Sequence, residues 1–233
     1  VERVSGSQLA RLETETPPES AESGGWADYS GPFDPGFQLE DLGHRALVTV
    51  NLEFALQSHL LARSFMLRVA QALDDEAAAE LGRAQWTGIA ALSALRLKAC
   101  LGIEGDDIAA VAKIFQLHPC FHPRSYVDMR VEITGSRSAQ ITLGECPAFE
   151  EGDPYSWFAG LSAAPHPALQ AIASVIQPRA LCQPVAPPAH GKLAWEIVID
   201  PSAEPQPTPQ ELKLAQISRG ADFQFEQRRS LRA

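Results

Sequence analysis

Apolar residues recur at helical spacing over the first structured stretch of the chain. Leu47, Val50, Phe54, Leu61, Phe65 and Val69 fall close to a 3.6-residue period, which predicts a helix over about residues 42–73 with Asp41 as its cap and this row as its core face. Asp74 or Asp75 opens a second helix through an alanine-rich run, in which Gly82 and Gly88 permit close packing or a bend and Gly102 is the stop. Gly105-Asp106-Asp107 opens a third, shorter helix that ends before Pro119, because a residue preceding proline is pushed out of helical dihedrals. At Tyr126 the period drops to two. Val127, Met129, Val131 and Ile133 alternate with polar residues, Gly135-Ser136 supplies a turn, and Ala139, Ile141 and Leu143 line one face of the return strand. Helices follow around 155–161 and 167–176, then strands over 180–185 and 193–199.

The pattern predicts an α+β fold: an N-terminal helical half of three helices, then a strand-strand-helix-strand-strand antiparallel sheet unit with one face against helices. Residues 38–200 form a single α+β domain in this reading. Residues 1–37 are rich in Glu, Ser, Gly and Pro and read as a flexible arm, except that Trp26, Tyr29, Phe33 and Phe37 are aromatic enough to drape over the core or a second subunit, which leaves a homo-oligomer open. Residues 201–233 read as a proline-rich linker and a short terminal helix, with Thr208 as cap, Pro209 in first position and Glu211 completing a capping box. The segments before Phe33 and after Pro201 are expected to add little to core stability.

Composition narrows the function. Hydrophobic residues make up 45% and charged residues 21%, as in an ordinary globular protein. With 29 acidic against 19 basic side chains the net charge is -10, so phosphate backbones and anionic lipid are repelled and nucleic acid is not an expected partner. No apolar run reaches the length of a membrane span, and no secretory signal opens the chain, so the expected location is the cytoplasm. Four cysteines are too sparse for a disulfide scaffold and read as thiols, ligands or small buried hydrophobes. G-x-S-x-G, H-E-x-x-H, Walker and G-x-G-x-x-G motifs are absent.

The densest reactive cluster is His118-Pro119-Cys120-Phe121-His122. If extended, it points His118, Cys120 and His122 to one side, where they converge on a metal such as zinc with Cys146, Cys182 or a water as fourth ligand. The alternative is a proline-braced loop with exposed histidines and a buried cysteine. Cys146, before Pro147 at a strand end, is a candidate nucleophile with His118, His122 or His59 as base, or a packing residue. Cys182 is a weaker candidate and Cys100 reads as core. On the first helix, Glu53 and Gln57 lie one turn apart and His59 is close by, which suits either a polar ligand pocket or a solvated stripe. Gln85-Trp86 and the stretch holding Tyr155 and Trp157 add aromatic walls for a ligand, or plain packing.

A long helix opening at LEDL, the Gln85-Trp86 pair, GIEGDDIAAVAK, a hairpin leading to GECPAF, and strands carrying ALCQPV and AWEIVID together resemble a family of uncharacterised bacterial proteins similar to L-2-amino-thiazoline-4-carboxylate hydrolase-like domains. The resemblance spans roughly residues 39–200 and rests on Trp86, Cys146, Cys182, Trp195 and Glu196; the 118–122 cluster is not part of it. It implies a shared fold and pocket. Two functions follow as expectations: a cytoplasmic small-molecule-binding protein that acts as a hydrolase on a small carboxylated heterocycle or a thiol or thioester compound, and a non-catalytic ligand-binding module that works through a partner.

Overall fold

The computed structural model describes residues 25–150, 155 and 161–224. The chain divides into two compact units after Asn51, inside the first helix; the sequence reading set the boundary after residue 37. In the first unit, the Trp26 N–H donates to the Asp41 carbonyl (2.8 Å) and the Trp26 carbonyl accepts from Gly43 N–H (2.9 Å). This bridge brings Gly25 so near Gly43 that a Cβ on Gly25 would meet Gly43 N at 2.5 Å. The aromatic residues stack mainly on one another, Trp26 on Tyr29 at 5.4 Å and Tyr29 on Phe37 at 4.6 Å, while Phe33 is 82% exposed. Asp41 accepts from the Gln38 N–H and closes a 3₁₀ turn, Leu39–Asp41, so the α-helix starts two residues later than expected.

Helix α1 spans His44–Ala72, α2 Asp75–Cys100 and α3 Ile108–Leu117. Asp74 caps α2 through the Ala77 N–H (2.7 Å), and Asp107 caps α3 through the Ala110 N–H (2.8 Å). After α2 the chain turns at Gly102 and Gly105, whose φ angles of +60° and +77° suit glycine. A 3₁₀ turn, Pro119–Phe121, follows α3. The sheet holds β1 (Met129–Gly135), β2 (Ser138–Leu143), β3 (Ala180–Val185) and β4 (Leu193–Ile199), all antiparallel in the order β1-β2-β4-β3. Between β2 and β3 lie the short α4 (Pro147–Glu150) and α5 (Pro167–Ile176); the helix expected at 155–161 lies outside the described residues except at its ends. Helix α6 (Gln210–Ala215) follows the prolines. The fold is α+β, helices first and sheet after.

Register sets the two faces. Ala139 opposes Ile197, which opposes Cys182, and Ile141 opposes Trp195; all five are buried with α3, α5 and the middle of α2. On the other face Glu132, Gln140, Glu196 and Gln183 form a polar row. Along β1 the expected alternation holds only in part. Met129 is buried, but Ile133 is 56% exposed because it lies at the hairpin end of an edge strand, beside a register irregularity. Val127 is buried in the turn before the strand. The edge of β3 is closed by one side chain: Gln170 of α5 donates to the Ala180 carbonyl (2.8 Å) and accepts from the Cys182 N–H (2.9 Å).

Two expectations about burial are corrected. On α1 the buried residues of the second unit are Ala55, His59 and Met66, and of the apolar row expected to face the core the large side chains are exposed, Phe54 by 54%, Leu61 by 74% and Phe65 by 55%, while Val69 is half-buried. The two rows differ by roughly a third of a turn, and it is the Met66 row that meets α2, where Met66 Sδ would lie 3.0 Å from a Cβ on Gly82. Nor is the segment after Pro201 a bystander. Leu212 of α6 is 2% exposed among Ala91, Leu92, Ala171 and Ala221, and α6 approaches α2 so closely that a Cβ on Gly88 would lie 2.7 Å from the Glu211 carbonyl. Leu212→Ala is expected to cost about 2–4 kcal/mol in urea unfolding, and Gly88→Val at least as much as a typical overpacking change of about 1–3 kcal/mol.

Candidate functional site

Three imidazoles organise the centre of the second unit, each bonding a main-chain carbonyl. His118 Nε2 lies 3.0 Å from the Ala90 carbonyl on α2, His59 Nε2 of α1 lies 2.9 Å from the His122 carbonyl, and His122 Nε2 lies 2.9 Å from the Gln116 carbonyl. A carbonyl oxygen only accepts, so every one of these nitrogens carries the proton and donates. In His118 the other nitrogen, Nδ1, then accepts from the Cys120 N–H (3.3 Å) and from the Cys120 thiol, whose Sγ is 2.8 Å away. The segment from His118 to His122 is thereby pinned to α2 on one side and to α1 on the other.

This geometry corrects the metal expectation. Residues 118–122 are not one extended run: Pro119–Phe121 wind into the 3₁₀ turn, so that His118 and Cys120 meet each other while His122 turns away to the Gln116 carbonyl. Both histidines spend Nε2 on carbonyls, and among the described residues no three His, Cys, Asp or Glu side chains come together to hold a metal such as zinc. The proline-braced loop is the observed alternative, with the difference that His118 is buried.

Burial sets the protonation states. Desolvation holds His118 down at about 4, against the upward pull of its bond to Ala90 and with a smaller downward push from His122. Desolvation also lowers His59, partly opposed by its bond to the His122 carbonyl. Cys120 is pushed well above the ordinary thiol range by desolvation, so the pair is a neutral thiol donating to a neutral imidazole rather than a thiolate and an imidazolium.

Beside this brace lies a cleft of about 560 Å³. From α1 it is lined by Ser58, His59, Leu61, Ala62 and Phe65; from α2 by Gln85, Trp86, Ile89 and Ser93; and its floor is His118, Pro119 and Cys120. The α2 row follows from helical geometry, since Gln85, Ile89 and Ser93 stand four residues apart on one face. The exposed Leu61 and Phe65 are the apolar surplus of α1 turned to this cleft.

Of the site residues expected from sequence, the cleft gathers His59, Trp86, His118 and Cys120. Glu53 and Gln57 are exposed on α1 and do not line it, as in the solvated-stripe reading. Cys146 and Cys182 are each 3% exposed within the core, Cys182 with its thiol pushed up to about 12 by desolvation. Cys100, read as core, is exposed at the end of α2, where its thiol faces the Leu97 carbonyl. Tyr155 is half-buried with its hydroxyl 3.5 Å from Asp75 Oδ1, and Trp157 lies outside the described residues. Sequence reasoning missed Ile89, Ser93 and Ser58, whose only signal was their spacing relative to Gln85 and Leu61. No family model, curated protein or solved structure matches the chain.

Two measurements check this electrostatic picture. His166, which caps α5 through the Ala168 N–H, is also held at about 4, by desolvation first and Arg83 second. A histidine lowered in the folded state contributes stability that is complete above its unfolded value near 6.5 and is lost as pH falls from 6.5 through 4. Stability in urea is therefore expected to hold from pH 8 to 7 and to decline below pH 6.5, with His118 alone accounting for on the order of 3 kcal/mol. In timed alkylation of the folded protein at pH 7.5, Cys100 is expected to react first, with Cys120, Cys146 and Cys182 at least about tenfold slower because thiolate character and access govern the rate.

Proposed function

We propose that this chain is a small-molecule-binding protein whose ligand occupies the cleft between α1, α2 and the 3₁₀ turn, and that it acts without covalent chemistry. The observation that carries the reading is the wall: Leu61, Phe65 and Ile89, exposed by 74%, 55% and 44%, converge with Trp86 on a 560 Å³ space floored by the histidine brace. Ligand sites commonly occupy about 300–1,000 Å³, with mostly apolar walls and a few fixed polar groups. Covering these side chains with a ligand removes apolar surface from water at roughly 25 cal/mol per Å².

A binding role suits the chemistry better than a nucleophilic one. A Cys–His catalyst needs a thiolate or a base able to take its proton. Cys120 is held as the neutral thiol, and His118 has both ring nitrogens engaged, one by Ala90 and one by Cys120. The hydrolase reading rests on the family resemblance together with this one Cys–His contact, while Cys146, its expected nucleophile, lies in the core.

Nile red, an uncharged dye that brightens in apolar surroundings, tests the assignment. The wild-type protein is expected to enhance its fluorescence saturably. Phe65→Glu and Ile89→Glu, both at exposed positions that tolerate a charge in the folded state, are expected to weaken binding at least about tenfold, which corresponds to roughly 1.4 kcal/mol. Enhancement that survives both substitutions places the dye elsewhere and removes the reading.

A further inference from the structure

Resting on the cleft as the ligand site, we infer that it selects an uncharged, largely hydrocarbon molecule bearing neutral hydrogen-bonding groups, and that it rejects carboxylates. Among the described residues, none that lines the cleft is Asp, Glu, Lys or Arg. Arg63 follows Ala62 in sequence but is not among the lining residues. The two lining histidines bring no positive charge either: each donates Nε2–H to a main-chain carbonyl, and burial keeps the ring neutral at pH 7.

An anion entering this space leaves water without meeting a cation, and an unpaired charge in an apolar site is costly. The field of the whole chain, with net charge -10, opposes it further. What the cleft does offer is neutral hydrogen bonding. The Gln85 amide donates and accepts, the Ser93 hydroxyl does both, and the two stand eight residues apart on one face of α2, about 12 Å along the axis. Ile89 lies between them, with Trp86 and Phe65 beside it, so the space between the polar ends is apolar. The occupant that matches is a flat or extended hydrocarbon body with an alcohol, amide or carbonyl at an end. A small carboxylated heterocycle, the substrate class that the family resemblance implies, is poorly matched.

The test compares two probes of one shape, 2-naphthylmethanol and 2-naphthoate, at pH 7.5, read by the shift of the Trp86 indole N–H in NMR spectra assigned with Trp86→Phe. The expected result is binding of the alcohol at least about tenfold tighter than the carboxylate, with both weakened by Ile89→Glu. Gln85→Arg, at an exposed position, places a guanidinium in the cleft and is expected to narrow or reverse the preference; Ser58→Arg, also exposed, does so from the opposite wall if the first variant fails to fold. Equal binding of both probes, or tighter binding of the carboxylate, with both lost in Ile89→Glu, overturns the selectivity and leaves the binding site standing. No shift of the Trp86 indole with either probe, or shifts untouched by Ile89→Glu, overturns the site as well.

Discussion

A buried imidazole that donates to a helix carbonyl is the constraint on which the second unit depends. His118 is 1% exposed, and its two nitrogens join a main-chain oxygen of α2 to the thiol and backbone of the 3₁₀ turn. Without that bond the His118 Nε2–H would be buried and unmatched beside Ala90, at a cost of about 1–3 kcal/mol. His59 performs the same service from α1, through the His122 carbonyl. Two elements that share few bulky contacts are thus held across a turn by polar bonds, and the space left between them is the cleft.

The composition of α2 explains why the space persists. All but one of its buried positions are small: Ala78, Thr87, Gly88, Ala90, Ala91 and Ala94, with Leu92 the exception. They let α5 and α6 approach closely, with α6 touching at Gly88, so that one side of α2 is packed tightly. The opposite side meets α1 through Met66 at Gly82 and then diverges around Gln85, Ile89 and Ser93. Close packing on one flank and a brace of histidines on the other leave a gap whose walls are apolar and whose floor is neutral. Side chains bordering such a gap forgo dispersion attraction on their open side until an apolar body fills it.

Much of the fold was legible in the sequence because its signals are local. Asp74 or Asp75 reads as the opening of α2 and Gly105-Asp106-Asp107 as that of α3, and Asp74 and Asp107 are the caps; Gly102 reads as a stop and turns the chain at positive φ; the alternation over 139–143 marks a strand with one buried face. The site was legible only as a set of residue types. His59, Trp86, His118 and Cys120 stood out by their chemistry, yet the period-two argument set His118, Cys120 and His122 on one side, where the 3₁₀ turn keeps His118 with Cys120 and sends His122 away. Which row of α1 is buried could not be read either. Periodicity shows that Phe54, Leu61 and Phe65 share a face, but tertiary contacts decide that Ala55, His59 and Met66 are the ones covered, Met66 against Gly82 and His59 against the His122 carbonyl and Tyr126. Leu212, four prolines beyond the sheet, carried no local sign that it would be buried against α2.

The neutrality of the cleft floor turns on the protonation of one ring, and long-range ¹H–¹⁵N NMR spectra of the folded protein at pH 7 read it directly. The expected His118 pattern is a protonated Nε2 and an unprotonated Nδ1, with the Nε2 proton protected from exchange by its bond to the Ala90 carbonyl. An imidazolium pattern, with both nitrogens protonated, or the opposite tautomer would contradict the neutral brace and, with it, the uncharged floor of the cleft.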